Sequence, residues 1–138
     1  MEVGADGVHL GQEDLPLDVA RRLSRGSLLL GISTHNADQA LGAQEEGADY
    51  INLGPVFPTA TKETPTRPVT VDFIREMAPR LTTPFTTMGG IHLNNVEQVV
   101  LAGADRVAVV SEVVSADDIA RAASRMLEAI HRAKEKRA

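Results

Sequence analysis

Residues 47–54 read Gly-Ala-Asp-Tyr-Ile-Asn-Leu-Gly, a turn that leads at once into a short, mostly apolar run. The same Gly-Ala-Asp turn recurs at residues 4–6 and 103–105, each time directly before another apolar run. Glycine tolerates the positive φ that is usual just after a helix, and helix-like stretches precede the two later copies. The recurring turn therefore predicts a chain built from repeated helix–strand units.

Five apolar runs are predicted to be β-strands, and they alternate with five helices. Three strands follow the Gly-Ala-Asp turns, and the other two occupy residues 28–33 (Leu-Leu-Leu-Gly-Ile-Ser) and 85–88 (Phe-Thr-Thr-Met). Three predicted helix starts carry side chains suited to capping: Asn36 with Gln39, Asn94 with Glu97, and Ser115. Near-continuously apolar strands are typical of a parallel sheet that helices bury on both faces.

Two α/β architectures fit this order of elements. One is a five-stranded doubly wound parallel sheet. The other is a TIM (β/α)8 barrel of which the chain supplies only part, because closure of that barrel requires eight strands. Periodicity alone does not choose between them, and both place functional residues at the C-terminal ends of the strands.

The composition favours a single domain over residues 1–138 and excludes several classes of function. Hydrophobic residues make up 43 % of the chain, without a continuous apolar run long enough to cross a membrane. The net charge of −5 and the aromatic content of 3 % argue against nucleic acid as a partner. Cysteine is absent and no secretory signal pattern opens the chain, so a cytoplasmic protein without disulfides is expected.

Two glycines after the fourth strand form the first candidate site. Gly89 and Gly90 precede a predicted helix, so their backbone N–H groups can approach an anion closely. Val110 and Ser111 end the next strand, and in a barrel the last two strands supply the usual phosphate site. A tight turn is the alternative for the glycine pair, but its combination with Ser111 favours phosphate binding.

Polar residues after the first two strands are candidates for binding a metal ion and an anion. Asp14 suits Mg²⁺, which takes a few carboxylates together with substrate phosphate oxygens, although helix capping is the alternative. Ser33 either donates to a phosphate or closes a turn. The histidines show no close metal-ligand spacing and are interpreted as structural, with His35 the one placed to matter: His9, His35, His92 and His131.

The loop after the third strand carries the sole lysine outside the last five residues of the chain. Lys62 follows Thr59 and Thr61, and alternate residues of an extended loop face the same side. Two hydroxyl groups and one ammonium group suit a polar ligand that carries a phosphate. This loop is therefore the strongest candidate for binding a substrate.

Five motifs occur in one order along the chain: residues 9–14 (HLGQED), 31–35 (GISTH), 54–62 (GPVFPTATK), 89–91 (GGI) and 109–111 (VVS). Together they resemble the thiamine phosphate synthase (thiamine-phosphate pyrophosphorylase) family. The resemblance implies a (β/α)8 barrel that joins hydroxymethylpyrimidine diphosphate to thiazole phosphate with Mg²⁺ and releases pyrophosphate. It implies Asp14 as a Mg²⁺ ligand and Ser33 and Lys62 as contacts of the diphosphate. Five residues are implied to hold the thiazole phosphate: Thr59, Thr61, Gly90, Val110 and Ser111.

The chain departs from the family in what it lacks. Family members are longer, and the strands present here are expected to correspond to strands 4–8 of the barrel. A second copy of the chain is then one expected way to cover the open barrel, and low turnover by the isolated chain is expected. The related thiazole tautomerases carry a histidine where this chain has Pro55, so Pro55 and Lys62 argue against that activity. A non-catalytic phosphate-binding remnant remains the other alternative.

Overall fold

The computed structural model describes residues 3–59 and 67–138. The strands are β1 (Gly7–Leu10), β2 (Leu29–Thr34), β3 (Tyr50–Leu53), β4 (Phe85–Met88) and β5 (Val107–Ala108). The helices are α1 (Leu17–Leu23), α2 (Ala37–Glu45), α3 (Thr70–Met77), α4 (Val96–Leu101), α5 (Ser111–Val114) and α6 (Ile119–Arg137). The first four strands occur where the sequence predicts them. The prediction that Val110 and Ser111 end the fifth strand is wrong, because β5 ends at Ala108 and Ser111 is the first residue of α5. The segment after β5 forms two helices instead of one.

All five strands pair in parallel in the order β1-β2-β3-β4-β5. Each connection between neighbouring strands passes through a helix, as parallel strands require. A doubly wound sheet reverses its strand order at a switch point, and this sheet contains no such reversal. The α/β prediction is confirmed, and the doubly wound alternative is wrong.

The two faces of the sheet differ in polarity. One face packs in the main core through the buried side chains of Leu10, Leu30, Ile51, Leu53 and Phe85. The side chains between them point the opposite way because successive residues of a strand alternate. They form what we call the polar face: His9, Ser33, Tyr50, Asn52 and Thr86. The interpretation of the strands as apolar on both faces is therefore wrong.

Hydrogen bonds satisfy the buried polar side chains of the sheet. Asn52 is 2 % exposed, and its Oδ1 accepts a hydrogen bond from Thr86 Oγ1 at 2.9 Å. On the other face, the hydroxyl of Thr34 donates to the carbonyl of Asn52 at 3.1 Å and that of Thr87 to the carbonyl of Arg106 at 3.3 Å. An unpaired buried polar group is costly, so these pairs let polar residues occupy the strands.

One of the three predicted helix caps is confirmed. Asn36 Oδ1 accepts the Gln39 N–H at 2.9 Å, while Gln39 Oε1 accepts the N–H of His35 instead of that of the cap. The cap of α6 is Asp118, which accepts the Arg121 N–H at 2.9 Å, so Ser115 was wrong. Asn94 was wrong as well, because α4 begins after Asn95, whose side chain bonds to the preceding loop.

The C-terminal helix α6 packs along α4. Met126 and Ala133 of α6 are buried in this contact, and Lys136 forms an ion pair with Glu97 of α4 at 2.6 Å. Arg137 donates to the carbonyl of Val100 at 2.9 Å. These contacts hold the last turn of α6 against the body of the fold. No helix in the described part of the chain has the length and apolarity that crossing a membrane requires.

Asp49 links α1 to β2, and its ionisation is expected to matter for stability. The carboxylate accepts the Leu30 N–H at 2.7 Å and pairs with Arg21 at 2.9 Å. The Leu30 N–H, helped by the Arg21 guanidinium, lowers the pKa of Asp49 below its ordinary value. A lowered pKa in the folded state favours the carboxylate, so this contribution is complete above the ordinary pKa of about 4 and disappears as the pH falls through the folded value.

We therefore expect Asp49→Asn to reduce the free energy of unfolding at pH 7 and to have less effect at pH 3. Urea unfolding of both proteins at the two pH values measures the difference. Asparagine retains an oxygen that can accept the Leu30 N–H, so the comparison isolates the charge. An equal loss at both pH values would contradict the role of ionisation.

Candidate active site

The loops that follow the five strands are joined along one edge of the sheet. Each loop is hydrogen-bonded to the next: Gln12 to the Ser33 carbonyl at 2.7 Å, His35 to the Gly54 carbonyl at 2.6 Å, the Phe57 N–H to the Gly89 carbonyl at 3.0 Å, and His92 to Glu112 at 2.7 Å. This edge holds the C-terminal ends of the strands, where parallel α/β folds place their ligands. It is the candidate active site.

Asp14 lies in the first of these loops. Its Oδ2 accepts the Gly11 N–H at 2.6 Å, and its own N–H donates to the Gly11 carbonyl at 3.3 Å. The following helix begins after Pro16 and has no side-chain cap, so Asp14 does not cap it. The carboxylate therefore stabilises the turn through its Oδ2.

The fit of Asp14 to Mg²⁺ follows from the donors available in this loop. Within residues 3–59 and 67–138, no three His, Cys, Asp or Glu side chains converge into a metal-binding cluster. Mg²⁺ is commonly held by one or two carboxylates, with water and substrate phosphate completing its shell. A single exposed carboxylate suits that mode of binding and not a site built from protein ligands alone.

Ser33 belongs to a three-residue cluster on the polar face. His9 Nε2 lies 2.8 Å from Ser33 Oγ, and His9 Nδ1 lies 2.7 Å from the Tyr50 hydroxyl. The two rings also pack together, with centroids 5.3 Å apart and planes inclined at 30°. Three adjacent strands therefore fix the position of the Ser33 hydroxyl at the edge of the sheet.

The ionisation of His9 sets the direction of these hydrogen bonds. Desolvation lowers the pKa of the His9 imidazole, and the Asp14 carboxylate offsets part of that effect. A neutral ring carries one proton, so one nitrogen donates and the other accepts. When Nε2 donates to Ser33 and Nδ1 accepts from Tyr50, the Ser33 hydroxyl proton is left for a ligand.

Gly31 makes room for Tyr50 in this cluster. A Cβ atom at position 31 would lie 2.0 Å from Tyr50 Cζ and 2.5 Å from its hydroxyl oxygen. The ring thus occupies the space above the Gly31 backbone, in the strand between His9 and Tyr50. The glycine of the GISTH motif is required by this close approach.

A cavity of about 450 Å³ opens at the other end of the same edge. It is lined by Pro58, Thr59, His92, Val110, Ser111, Val114 and Ser115. Gly90, with φ of +61°, packs against the backbone of Phe57 and Pro58, and its carbonyl accepts a hydrogen bond from Asn95 at 2.9 Å. The glycine turn therefore supports the wall of the cavity.

Residues 1–113 match the sequence profile of one family, described as thiamine monophosphate synthase. The match covers all five strands and every loop of the edge. The chain belongs to the thiamine monophosphate synthase family.

Individual relatives agree with this assignment. The chain is 48 % identical over 119 residues to the thiamine-phosphate synthase of Halalkalibacterium halodurans. This alignment covers 86 % of the chain and 56 % of that protein. It is 44 % identical over 133 residues to the thiamine-phosphate synthase of Shouchella clausii, in an alignment that covers 96 % of the chain and 64 % of that protein. The chain spans between about half and two thirds of the length of these relatives.

Solved structures place the fold in the same family. Thiamine phosphate pyrophosphorylase from Pyrococcus furiosus superposes with a TM-score of 0.85 at 33 % identity, over 94 % of this chain and 61 % of that one. A 3-hexulose-6-phosphate synthase superposes with a TM-score of 0.69 at 19 % identity, over 94 % and 64 %. The second likeness is one of fold alone.

The structure groups the residues that the family resemblance singled out. Thr59, Val110 and Ser111 line the cavity with Gly90 behind its wall, whereas Asp14 and Ser33 lie in the loops after β1 and at the end of β2. Thr61 and Lys62 lie outside the described residues, and their roles remain predictions.

The structure also adds residues that the sequence reasoning treated as structural. His9 contacts Ser33, and His92 lines the cavity. The signal for His9 was present in the alternation of the strand, because residues 9, 33 and 50 share one face once the register of the sheet is known. No comparable pattern in the sequence indicated His92. His35 was expected to matter, and its ring bonds to the Gly54 carbonyl in the next loop.

Proposed function

We propose that this chain carries the carboxyl-terminal substrate-binding part of a thiamine phosphate synthase. The enzyme joins hydroxymethylpyrimidine diphosphate to thiazole phosphate, giving thiamine phosphate and pyrophosphate. In this proposal the single domain of residues 1–138 corresponds to strands 4–8 of a (β/α)8 barrel. The sequential parallel order of β1 to β5, which barrels share, supports that correspondence.

The observation that carries the proposal is the cavity between the loops after β3 and β5. Three of its seven lining residues, Thr59, Val110 and Ser111, are residues that the family resemblance assigns to the thiazole phosphate. Hydroxyl groups of Thr59 and Ser111 supply hydrogen-bond donors for phosphate oxygens. In this proposal the backbone N–H of Gly90, which packs against Phe57 and Pro58 behind the cavity wall, completes the phosphate site.

The pyrimidine diphosphate is assigned to the loops after β1 and β2 and to Lys62. Ser33, held by His9, donates its hydroxyl proton to a diphosphate oxygen. Asp14 would hold Mg²⁺, which would supply positive charge to offset that of the diphosphate. The Lys62 ammonium group stabilises the charge that develops on the leaving diphosphate, an electrostatic role.

The proposed reaction is a dissociative substitution at the methylene carbon of the pyrimidine. The bond from this carbon to the diphosphate oxygen breaks, and its electron pair leaves with the diphosphate. The thiazole nitrogen then donates its lone pair to the pyrimidine-stabilised cation, and the new carbon–nitrogen bond completes thiamine phosphate. The protein binds the two substrates in adjacent parts of one edge, so that the nitrogen meets the cation at short range.

The proposal also concerns the polar face, because an open barrel section leaves that face and the edges of β1 and β5 without a partner sheet. Leu29 of β2 is 58 % exposed and Val8 of β1 is 39 % exposed. Strand edges and apolar residues exposed in this way favour association. A second copy of the chain is the partner we propose for the isolated chain.

Calorimetry and a synthase assay on the purified chain test this function. We expect the folded chain to bind hydroxyethylthiazole phosphate and to bind the unphosphorylated alcohol at least about tenfold more weakly, because charge-assisted hydrogen bonds hold the phosphate. With both substrates and Mg²⁺, turnover to thiamine phosphate is expected to be low.

The two halves of this prediction fail separately. Folded protein that does not bind hydroxyethylthiazole phosphate would rule out the proposed substrate site. Turnover equal to that of a full-length relative such as the Shouchella clausii protein would instead show that the chain needs no further strands. Native mass measured in the same buffer tells whether one copy or two perform the binding.

A further inference from the structure

His92 occupies a defined position in the wall of the cavity. Its backbone N–H donates to Asn95 Oδ1 at 2.7 Å, and the same Asn95 amide donates to the Gly90 carbonyl. The Asn95 side chain, directly before α4, therefore forms hydrogen bonds to the loop on both sides of Ile91. These hydrogen bonds hold the backbone of His92, and His92 lines the cavity together with Thr59 and Ser111.

Glu112 fixes the orientation of the His92 ring. Its Oε2 lies 2.7 Å from His92 Nδ1, and the carboxylate side chain is 22 % exposed while the imidazole is 43 % exposed. Since the ionised carboxylate only accepts hydrogen bonds, Nδ1 carries the proton of this pair. Within the described residues, Nε2 has no hydrogen-bond partner, so Nε2 is the ring nitrogen left for a ligand.

The charges around the cavity favour a cation at the His92 ring when a phosphate is bound. Among the described residues that line the cavity, His92 alone can become a cation. The charged group in contact with it is Glu112 of α5, and the α4 side chain that holds its loop, Asn95, is neutral. A phosphate dianion bound beside Glu112 without a compensating cation would be repelled. Protonated His92 offsets the carboxylate and donates a second hydrogen bond from Nε2.

We propose that His92, oriented by Glu112, is a further phosphate-binding residue of the thiazole-phosphate cavity. Nε2–H donates to a phosphate oxygen while Nδ1–H donates to Glu112, so the bound state contains the imidazolium form. This inference rests on the proposed function for the identity of the organic ligand. The phosphate contact itself requires only a tetrahedral dianion in the cavity.

Inorganic sulfate is the first probe, because it stays a dianion from pH 5 to 9 and any change of affinity belongs to the protein. Only the imidazolium form carries an N–H on both ring nitrogens, and histidine side chains change charge between pH 5 and 8. Sulfate affinity is therefore expected to fall about tenfold between pH 6 and pH 8. His92→Gln is expected to bind sulfate about tenfold more weakly at pH 6 and to show a flat pH profile.

His131→Gln is the matched control, since His131 is an exposed histidine of α6 away from the cavity lining. It receives the same substitution and is expected to keep both the affinity and the pH profile of the original protein. Glu112→Gln keeps an acceptor for Nδ1 but removes the charge that favours imidazolium. We expect it to shift the midpoint of the sulfate profile to lower pH.

An imidazole NMR titration reads the same contact without any substitution. Addition of sulfate or hydroxyethylthiazole phosphate is expected to shift the imidazole resonances of His92 and to leave those of His131 unchanged. Equal affinities and equal pH profiles for His92→Gln and the original protein, with hydroxyethylthiazole phosphate still bound, would overturn this inference and leave the proposed function intact. If the original protein binds neither sulfate nor hydroxyethylthiazole phosphate, both this inference and the proposed function are overturned.

Discussion

Gly90→Ala is expected to lower the free energy of unfolding by about 3 kcal/mol and to abolish measurable binding of hydroxyethylthiazole phosphate. Position 90 has φ of +61°, a conformation that costs alanine about 1–2 kcal/mol. The new Cβ atom would also lie 2.5 Å from the Pro58 carbonyl oxygen and 2.8 Å from Phe57 Cβ. Relief of that overlap must move the backbone of the loop that forms the cavity wall.

Gly26→Ala separates the two causes of this effect. Gly26 has φ of +71°, but a Cβ atom there meets nothing within 4 Å. Its expected cost is therefore the backbone strain alone, about 1 kcal/mol, with unchanged ligand binding. Urea unfolding and calorimetry on both variants give the comparison. Equal costs for the two substitutions would show that contact with residues 57 and 58 does not constrain position 90.

Gly31→Ala is expected to remove the His9–Tyr50–Ser33 cluster while the fold survives. A Cβ atom at position 31 overlaps the outer atoms of the Tyr50 ring, which can swing away because Tyr50 is only partly buried. The expected loss of stability is about 1–2 kcal/mol. Without Tyr50 the His9 ring loses one hydrogen bond and part of its desolvation, so the pKa of His9 is expected to rise.

Gly42→Ala is the control for this substitution. Gly42 lies inside α2, where a Cβ atom meets nothing within 4 Å, and alanine there is expected to raise stability by about 0.5–1 kcal/mol. Imidazole NMR measures the pKa of His9 in both variants, and calorimetry measures binding of hydroxymethylpyrimidine diphosphate. A weaker complex is expected for Gly31→Ala alone, by about tenfold, because Ser33 loses its orientation. An unchanged His9 titration would contradict the role of Gly31.

Three of the five strands could be predicted because one local signal repeats, and the other two from their own apolar runs. Each Gly-Ala-Asp turn leads into its strand, and the apolar residues of that strand bury one face. The choice between a barrel-type sheet and a doubly wound one depends on which strands pair. Pairing is a long-range property that no single turn or strand encodes, so the strand order had to come from the structure.

The composition of the polar face was harder to predict than the position of its strands. Asn52 and Thr86 weaken the apolar pattern, yet their side chains satisfy each other through a hydrogen bond between neighbouring strands. The partners lie in a different unit of the repeat, and only the register brings them together. Local capping rules failed at Ser115 and Asn94 for a similar reason, because Asp118 and the 89–92 loop offered better partners.

The residues of the candidate site that lie within family motifs could be predicted from the sequence. Thr59, Val110 and Ser111 were expected to share a ligand, and they line one cavity. His9 and His92 carried no motif of their own, and their contacts with Ser33 and Glu112 follow from the packing of adjacent loops. Lys62 and Thr61 remain predictions from the sequence.

The links between loops have a further consequence for how the active edge is assembled. The side-chain bonds from Gln12, His35 and His92 to the next loop span 21, 19 and 20 residues. Through these three bonds each loop reaches the loop made immediately after it, and short sequence separations between contacting residues favour rapid folding. During synthesis on the ribosome, the edge can close one loop at a time, in the order in which the chain emerges.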